Sequence, residues 1–520
     1  MNDGKNSHNS NDEMLKLCDM PRYKVDIHSF TMIIFGGAGD LSQRKLIPTL
    51  YQLFIQQEFV QKFFIIGLGL PEMSEPAYRE LCQRAIKRYA STYYEAEKCT
   101  AFLKHIYYLS GNLSDPLVYQ QILPKIRAVT PLKETEKANI LFYLAIPPQV
   151  VIPVVQKLDS FHLCQGIFQS KVIIEKPFGR DRQSAHLLNE QLLKYYSENQ
   201  IYRIDHYLGK DTVQNIFYFR LSNSIFEPLW NRQYVDHMQI TVGESIGIEK
   251  RGQFYEQTGV IRDIIQNHVM QLIALVTMEP PVGFEPDFIR DEKVKIFHAM
   301  RKMTESDVQQ QTLIGQYGSG TINGESVPAY RQEENVNQQS QIPTFFAGKF
   351  LVDNWRWAGV PIYVRAGKRL PEKLTEIYIH FKYPPLPLLG KITEKMQSNA
   401  LTLTIQPKEE IFFHVNVKEP GFSQAVNRVK MVFRYEDFFQ KRNHPAYQRL
   451  IIDCIRGDLT LFARQDGIEA MWSVVDPIRQ YWENHPPEDF PNYSAGSWGP
   501  QAAQNLIERE GRQCQHKDYR

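Results

Sequence analysis

FTMIIFGGAGDLSQRKLIPTLYQLF, residues Phe30 to Phe54, passes from a continuous apolar run into a glycine turn and then into leucines at helical spacing. Phe30–Phe35 carries no polar alternation beyond Thr31, as a strand buried on both faces requires. Leu41, Leu46, Leu50 and Leu53 then recur on one helical face over Asp40–Phe54. Strand, glycine turn and helix in this order open a parallel α/β sheet. The turn Gly36-Gly37-Ala38-Gly39 has two readings: a tight connection, or a cradle in which a helix N-terminus meets the pyrophosphate of a dinucleotide. Its pattern is G-x-x-G rather than the full G-x-G-x-x-G, so both stay open.

Working outward, Phe63–Ile66, Ile140–Ala145 and Lys171–Ile174 read as further buried strands separated by helical stretches. After about residue 205 the texture changes. Tyr234–Gly243, Phe345–Val352, Pro361–Arg365, Ile377–Tyr383, Ala400–Gln406 and Ile411–Val417 read as strands with few helices between them, which predicts a large, mostly antiparallel sheet. Helical patterns return at Gly259–Met278 and Pro445–Phe462. The expected architecture is an α/β Rossmann-like domain over 28–204 and a larger α+β domain with a mostly antiparallel sheet over 205–520. A polar, disordered tail is expected over 1–27.

At 520 residues the chain exceeds the size at which one core stops growing, which also argues for two domains. Sixty basic against fifty-eight acidic side chains give a formal charge of +2, so there is no global field for nucleic acid or an anionic membrane. Any anion site must be local. The six cysteines, Cys18, Cys82, Cys99, Cys164, Cys454 and Cys514, include no CxxC pair, which argues against structural zinc and a disulfide framework. No segment reaches the roughly 20 apolar residues of a membrane helix. The expectation is a reduced, cytoplasmic protein.

Four segments carry chemistry. Arg203–Lys210, RIDHYLGK, packs an aspartate, a histidine, a tyrosine and cations into eight positions, which suits an anionic substrate and proton transfer, or equally a polar loop of ion pairs. Glu175-Lys176-Pro177-Phe178-Gly179 ends a buried strand on the edge where open α/β sheets bind ligands. Lys176 there either reaches coenzyme and substrate or pairs with Glu175, and Pro177 is a candidate cis position. Arg262–His268, RDIIQNH, lies in a helical pattern that places Asp263 and Asn267 one turn apart and shifts His268 to an adjoining face. His268 qualifies as a general base if Asp205 meets it in space. Arg365-Ala366-Gly367-Lys368-Arg369 with Lys373 is either a solvated strand end or a second clamp on phosphate or hydroxyls.

Together GGAGDLSQRKLIP, YLAIPP, IIEKPFG, YRIDHYLGK, RDIIQNH, NWRWAGVPIYVRAGKRLP, RGDLTLFARQD and AGSWGP, in this order from Phe30 to Pro500, resemble the glucose-6-phosphate dehydrogenase family. The resemblance implies oxidation of glucose 6-phosphate at C1 to 6-phospho-D-glucono-1,5-lactone, the first step of the oxidative pentose phosphate pathway. It implies His268 as base and Asp205 as its partner. Lys176, His206, Tyr207, Lys210, Glu244, Asp263, Lys368 and Lys373 would bind substrate; Gly36, Gly39, Asp40, Leu41, Lys45 and Lys176 would bind coenzyme. It implies that the first domain binds coenzyme and that the second binds substrate and carries oligomerisation. It implies no metal, no nucleic-acid or membrane partner, and a homodimer or homotetramer.

Three departures stand out. Leu70 occupies the place of a basic residue that in the family pairs with the 2′-phosphate of NADP, so NADP is the expected coenzyme with NAD use open. Arg44, Lys45 and Arg79 are the cations near enough in sequence to substitute. Ile314 before Gly315 and Ala329 before Tyr330 replace an arginine and a glycine, and bear on loops or subunit contacts. Two other readings compete: a catalytically silent sugar-phosphate sensor, which would lack one of Asp205, Lys176 or His268, and another Rossmann sugar oxidoreductase with a Glu-Lys-Pro strand end, which would not account for RIDHYLGK.

Overall fold

Six strands form the first sheet: β1 (Phe30–Phe35), β2 (Phe63–Gly69), β3 (Ile106–Ser110), β4 (Ala138–Leu144), β5 (Phe168–Ile174) and β6 (Ile201–Arg203). All pair in parallel, in the order β3-β2-β1-β4-β5-β6. The computed structural model describes residues 29–56, 58, 59, 62–130, 138–164, 168–385, 397–422, 425–438 and 445–515. The tail expected over 1–27, with Cys18, lies outside them.

Strand order reverses between β1 and β4, and open α/β sheets bind ligands in the crevice beyond such a switch point. The glycine turn follows β1 there. Gly36 has φ +79°, and a Cβ on it would lie 2.4 Å from the carbonyl oxygen of Ala145, which follows β4. A Cβ on Gly37 would lie 2.6 Å from Gly67 Cα, so the turn also packs against the β2 backbone. Gly36 and Gly37 both donate to Leu68 O, at 2.8 and 3.1 Å. The helix after the turn is not uniformly α: Ser42–Leu46 is π-helical before the α-helix Ile47–Ile55.

The second sheet has eight strands: β7 (Val235–Gly243), β8 (Thr312–Gly315), β9 (Phe345–Phe350), β10 (Ile362–Gly367), β11 (Leu374–Phe381), β12 (Ala400–Gln406), β13 (Glu410–Lys418) and β14 (Val426–Arg434). Their order is β14-β13-β12-β11-β7-β10-β9-β8, antiparallel except for the parallel β7–β10 pair. Strands β3, β6, β8 and β14 are not among those expected from the sequence. β14 is exposed at most positions and so lacks the apolar signal of a core strand.

Two helical expectations need correction. Pro445–Phe462 is shorter, Ala446–Arg456, because Gly457 takes the left-handed conformation at φ +87° and caps it. Gly259–Met278 is not one α-helix. Gly259 breaks the preceding helix Gly252–Val260 at φ +60°, Ile261–Val269 is π-helical, and α geometry resumes over Met270–Thr277.

The helix Ala446–Arg456 returns to the first sheet. Lys171 Nζ on β5 donates to the carbonyls of Cys454 and Ile455, each at 2.9 Å, where a cation satisfies the free carbonyls of a helix end. Asn139 Nδ2 on β4 donates to Ile455 O, and Gln448 Nε2 to Gln52 Oε1. One apolar core runs from β1 through β7 to the helix Gln465–Asn484.

Candidate active site

Residues from both sheets meet in a cleft of about 1510 Å³ lined by Leu41, Lys176, His206, Tyr207, Glu244 and Asp263, together with His268 and Lys368. Ala145 to Gln149, after β4, and Arg251, Phe254, Gln257 and Thr258 complete much of its wall.

β6 ends at Arg203, and the chain turns immediately into the site. Arg203 is 1% exposed and donates to Glu198 Oε1 at 2.6 Å and Asn189 Oδ1 at 3.0 Å, which fixes the strand end. Asp205, two residues on, is 3% exposed and accepts from the Tyr207 backbone N–H at 2.9 Å. Its Oδ1 lies 2.6 Å from His268 Nδ1. The meeting that the sequence could only pose as a condition is therefore made.

The other imidazole nitrogen, His268 Nε2, lies 3.0 Å from Lys176 Nζ. An ammonium only donates, so Nε2 is the acceptor and Nδ1 carries the hydrogen given to Asp205. Lys176 Nζ also donates to Asp263 Oδ1 at 3.1 Å and to Asp263 O at 3.0 Å. Lys176 is not engaged by Glu175, whose Oε1 accepts instead from the hydroxyls of Tyr143 and Tyr447. The Lys176–Pro177 peptide is cis.

The π-helical stretch explains how Asp263 and His268 share a ligand. An α-helix would set them 500° apart around the axis, on different faces, whereas a π-helix closes on i→i+5 bonds and returns residue i+5 to the face of residue i. Met270 N donates to Ile265 O, and Asn267 Nδ2 bonds Arg262 O at 3.0 Å within the same stretch. The expectation that Asp263 pairs in face with Asn267, with His268 displaced, is thus overturned by helix pitch.

Electrostatics follow from burial and neighbours. For His268, burial disfavours the charged form and Lys176 adds to this; together they outweigh the pull of Asp205 and hold the imidazole below its ordinary value. Burial acts against the Asp205 carboxylate, yet its interaction and hydrogen bond with His268, together with the Lys176 charge, hold it well below the usual carboxylate range. Burial likewise opposes Asp263, but Lys176 and Lys368 keep it low. Lys368 Nζ bonds Glu244 Oε2 and lies 3.9 Å from Asp263 Oδ2. The result is a neutral imidazole whose Nε2 lone pair is met by Lys176, backed by a fixed anion.

A second cluster lies beside the imidazole. Tyr207 stacks on His268 with ring centroids 4.1 Å apart, and His206 meets it edge-on at 4.7 Å. Lys210 Nζ lies 4.0 Å over the Tyr207 ring and donates to Gln406 Oε1 at 2.7 Å. Burial, then Lys373, brings the Lys210 ammonium down to about 8. Gln406 and Thr375, which were not singled out in the sequence, hold this group: Gln406 Nε2 donates to Thr375 Oγ1, which faces the Tyr207 hydroxyl.

The remaining expected residues lie at the margins. Gly36, Gly39, Asp40 and Lys45 belong to the turn at the crevice but do not line the cleft wall, where Leu41 represents that turn. Asp40 and Arg44 form an exposed pair at 3.4 Å. Lys45 and Lys373 are exposed. Leu70 follows β2 and is half exposed, while Arg79 donates to Ile106 O and pairs with Glu75.

Two family models cover the chain: "Glucose-6-phosphate dehydrogenase, NAD binding domain" over 33–215 and "Glucose-6-phosphate dehydrogenase, C-terminal domain" over 217–515. The glucose-6-phosphate 1-dehydrogenase of Aggregatibacter actinomycetemcomitans is 40% identical over 482 residues, 92% of this chain and 96% of the relative. That of Chlamydia pneumoniae is 41% identical over 489 residues, 92% and 95% of the two chains. A solved glucose-6-phosphate dehydrogenase in complex with its substrate glucose-6-phosphate superposes with a TM-score of 0.86 at 33% identity, covering 94% of this chain and 99% of that one. The crystal structure of the enzyme from Mycobacterium avium gives 0.79 at 32%, covering 94% and 98%.

Proposed function

The chain belongs to the glucose-6-phosphate dehydrogenase family, and from that premise we propose that it oxidises glucose 6-phosphate at C1 to 6-phospho-D-glucono-1,5-lactone, with His268 as general base. The observation that carries the assignment is the line Asp205–His268–Lys176, with contacts of 2.6 and 3.0 Å.

His268 Nε2 takes the proton of the C1 hydroxyl, which enters at the place that Lys176 holds. Asp205 stabilises the imidazolium that forms and keeps Nδ1 protonated. Lys176 stays on Asp263 and bridges the sugar and coenzyme sides of the cleft. His206, Tyr207 and Lys210 bind the phosphate, and Glu244, Asp263 and Lys368 orient the sugar hydroxyls, with Lys373 at the rim. This placement follows the run of charge in the cleft, from cations around Tyr207 to carboxylates around Lys368.

The coenzyme side fits a dinucleotide. Gly36 leaves no room for a side chain against Ala145 O, so backbone rather than side chain meets the ligand, and the cleft continues from Leu41 to His268. A bound nicotinamide supplies the hydride acceptor for C1. Gly36, Gly39, Asp40, Leu41 and Lys45 form its cradle. NADP is bound with a weakened 2′-phosphate contact, because Leu70 is apolar and Arg79 and Arg44 already face Glu75 and Asp40; NAD therefore competes.

The domains divide as 28–204 and 205–520, and the enzyme acts in the cytoplasm as a dimer or tetramer. Exposed Val429, Met431 and Val432 on β14 support association through the large sheet. Among the described residues no helix is long and apolar enough to cross a membrane. Initial rates of nicotinamide reduction with glucose 6-phosphate, run on NADP and NAD in parallel, test the reading. Reduction of neither coenzyme overturns it.

A further inference from the structure

Lys293 is a buried cation for which the reaction has no use. It lies on the helix Pro286–Ala299, is 4% exposed, and forms no hydrogen bond or ion pair among the described residues. A buried charge without a partner is costly, so its surroundings need explanation. Burial brings its ammonium down to about 8, and Asp205 is the strongest group pulling the other way.

Lys293 lines a cavity of about 180 Å³ that is separate from the catalytic cleft. Leu208, Val213, Leu275, Ile289 and Leu461 give it apolar walls. Phe284 and Tyr218, 63% and 53% exposed, stack at its opening with ring centroids 6.2 Å apart. A second polar group inside is also unanswered: Gln214 lines the cavity, and its Nε2 is buried with no hydrogen-bond partner. The other charged lining groups are engaged. Arg449 donates to Asp453 at 2.9 Å, and Asp458 accepts from the Thr460 N–H.

We infer that this cavity is a ligand site for a small organic monocarboxylate with an aromatic or branched apolar body, Lys293 and the Gln214 amide receiving the carboxylate. The volume suits it, since an apolar cavity of about 150 Å³ holds benzene. The two unanswered groups are both donors, which matches an acceptor-only carboxylate. Asp458 on the same wall counts against a dianion such as phosphate. A bound carboxylate would face the lysine whose charge interacts with Asp205.

Calorimetric titration of the full chain with sodium phenylacetate, with glucose 6-phosphate saturating the catalytic cleft and no coenzyme present, tests the inference. We expect one phenylacetate per chain, at least tenfold weaker binding of neutral phenylacetamide, and no competition from inorganic phosphate. Lys293→Met should weaken phenylacetate at least tenfold and leave phenylacetamide unchanged. Phe284→Ala, at an exposed position where folding is not at stake, should weaken both several-fold. No binding, binding abolished by glucose 6-phosphate, or binding indifferent to Phe284→Ala and to the ligand's charge each overturns the inference.

Discussion

Asp263 and His268 are five residues apart in sequence and one turn apart in space, and both reach the ammonium of Lys176, at 3.1 and 3.0 Å. The π-helical pitch thus makes one lysine common to a carboxylate and an imidazole, the groups proposed to orient the sugar and to act as base. Asp263→Asn keeps the backbone contact to Lys176 but removes the charge shared by Lys176 and Lys368. We expect kcat/KM for glucose 6-phosphate to fall by roughly 10- to 150-fold, as loss of a charge-assisted contact of about 1.5–3 kcal/mol implies. Unchanged steady-state constants would remove Asp263 from the site.

Removing the base separates binding from chemistry. His268→Asn should cut kcat by about 10²- to 10⁴-fold with KM for glucose 6-phosphate close to that of the parent. Near-normal turnover in this variant would end the assignment of His268.

The rate should fall on both sides of neutrality. His268 is held below the ordinary imidazole value by burial, so it stays an acceptor at neutral pH and is lost only as pH falls through that lowered value. Lys210 sits at about 8, so its charge is present below that pH and lost above it. kcat/KM should therefore show an acid limb below the ordinary imidazole value and an alkaline limb near 8, the latter carried by KM. Lys210→Gln should abolish the alkaline limb and leave the acid one.

In the proposed coenzyme pose, Leu70→Arg places a cation beside the ribose. The ratio of kcat/KM on NADP to that on NAD should rise by about 10- to 150-fold, the equivalent of one charge-assisted contact of about 1.5–3 kcal/mol. An unchanged ratio would mean that another cation already serves the 2′-phosphate.

Two left-handed glycines should respond differently to alanine. At Gly457 the nearest atom to a new Cβ is 3.6 Å away, so Gly457→Ala costs only backbone strain of about 1–2 kcal/mol, read as a lower Tm. At Gly36 the Cβ would meet Ala145 O at 2.4 Å, so Gly36→Ala should lower Tm further and raise the coenzyme Kd.

The sequence was most legible where burial is uniform. β1, β2, β4 and β5 are buried on both faces, and their apolar runs announce them; the glycine turn follows because only glycine fits against Ala145. RIDHYLGK supplied Asp205, His206, Tyr207 and Lys210, which are local in sequence and local in space. Helix pitch was not legible, since the apolar spacing of Ile261, Ile264 and Ile265 suits α as well as π geometry. Nor were Gln406 and Thr375, whose role comes from the pairing of β12 with β11 and from where β6 delivers Lys210. The cavity at Lys293 was also hidden, because a lysine in a helical pattern reads as surface.

The helix Ala446–Arg456 lies against β4 and β5, and its Tyr447 hydroxyl bonds Glu175 beside Lys176. Some 240 residues separate it from the end of β6. At ribosomal rates of about 5–20 residues per second, the amino-terminal sheet waits roughly 10 to 50 s for the segment that covers Lys171 and Asn139. During translation that flank of the nascent chain is therefore open to chaperones and proteases, and Lys176 gains its full surroundings only once this helix has been made.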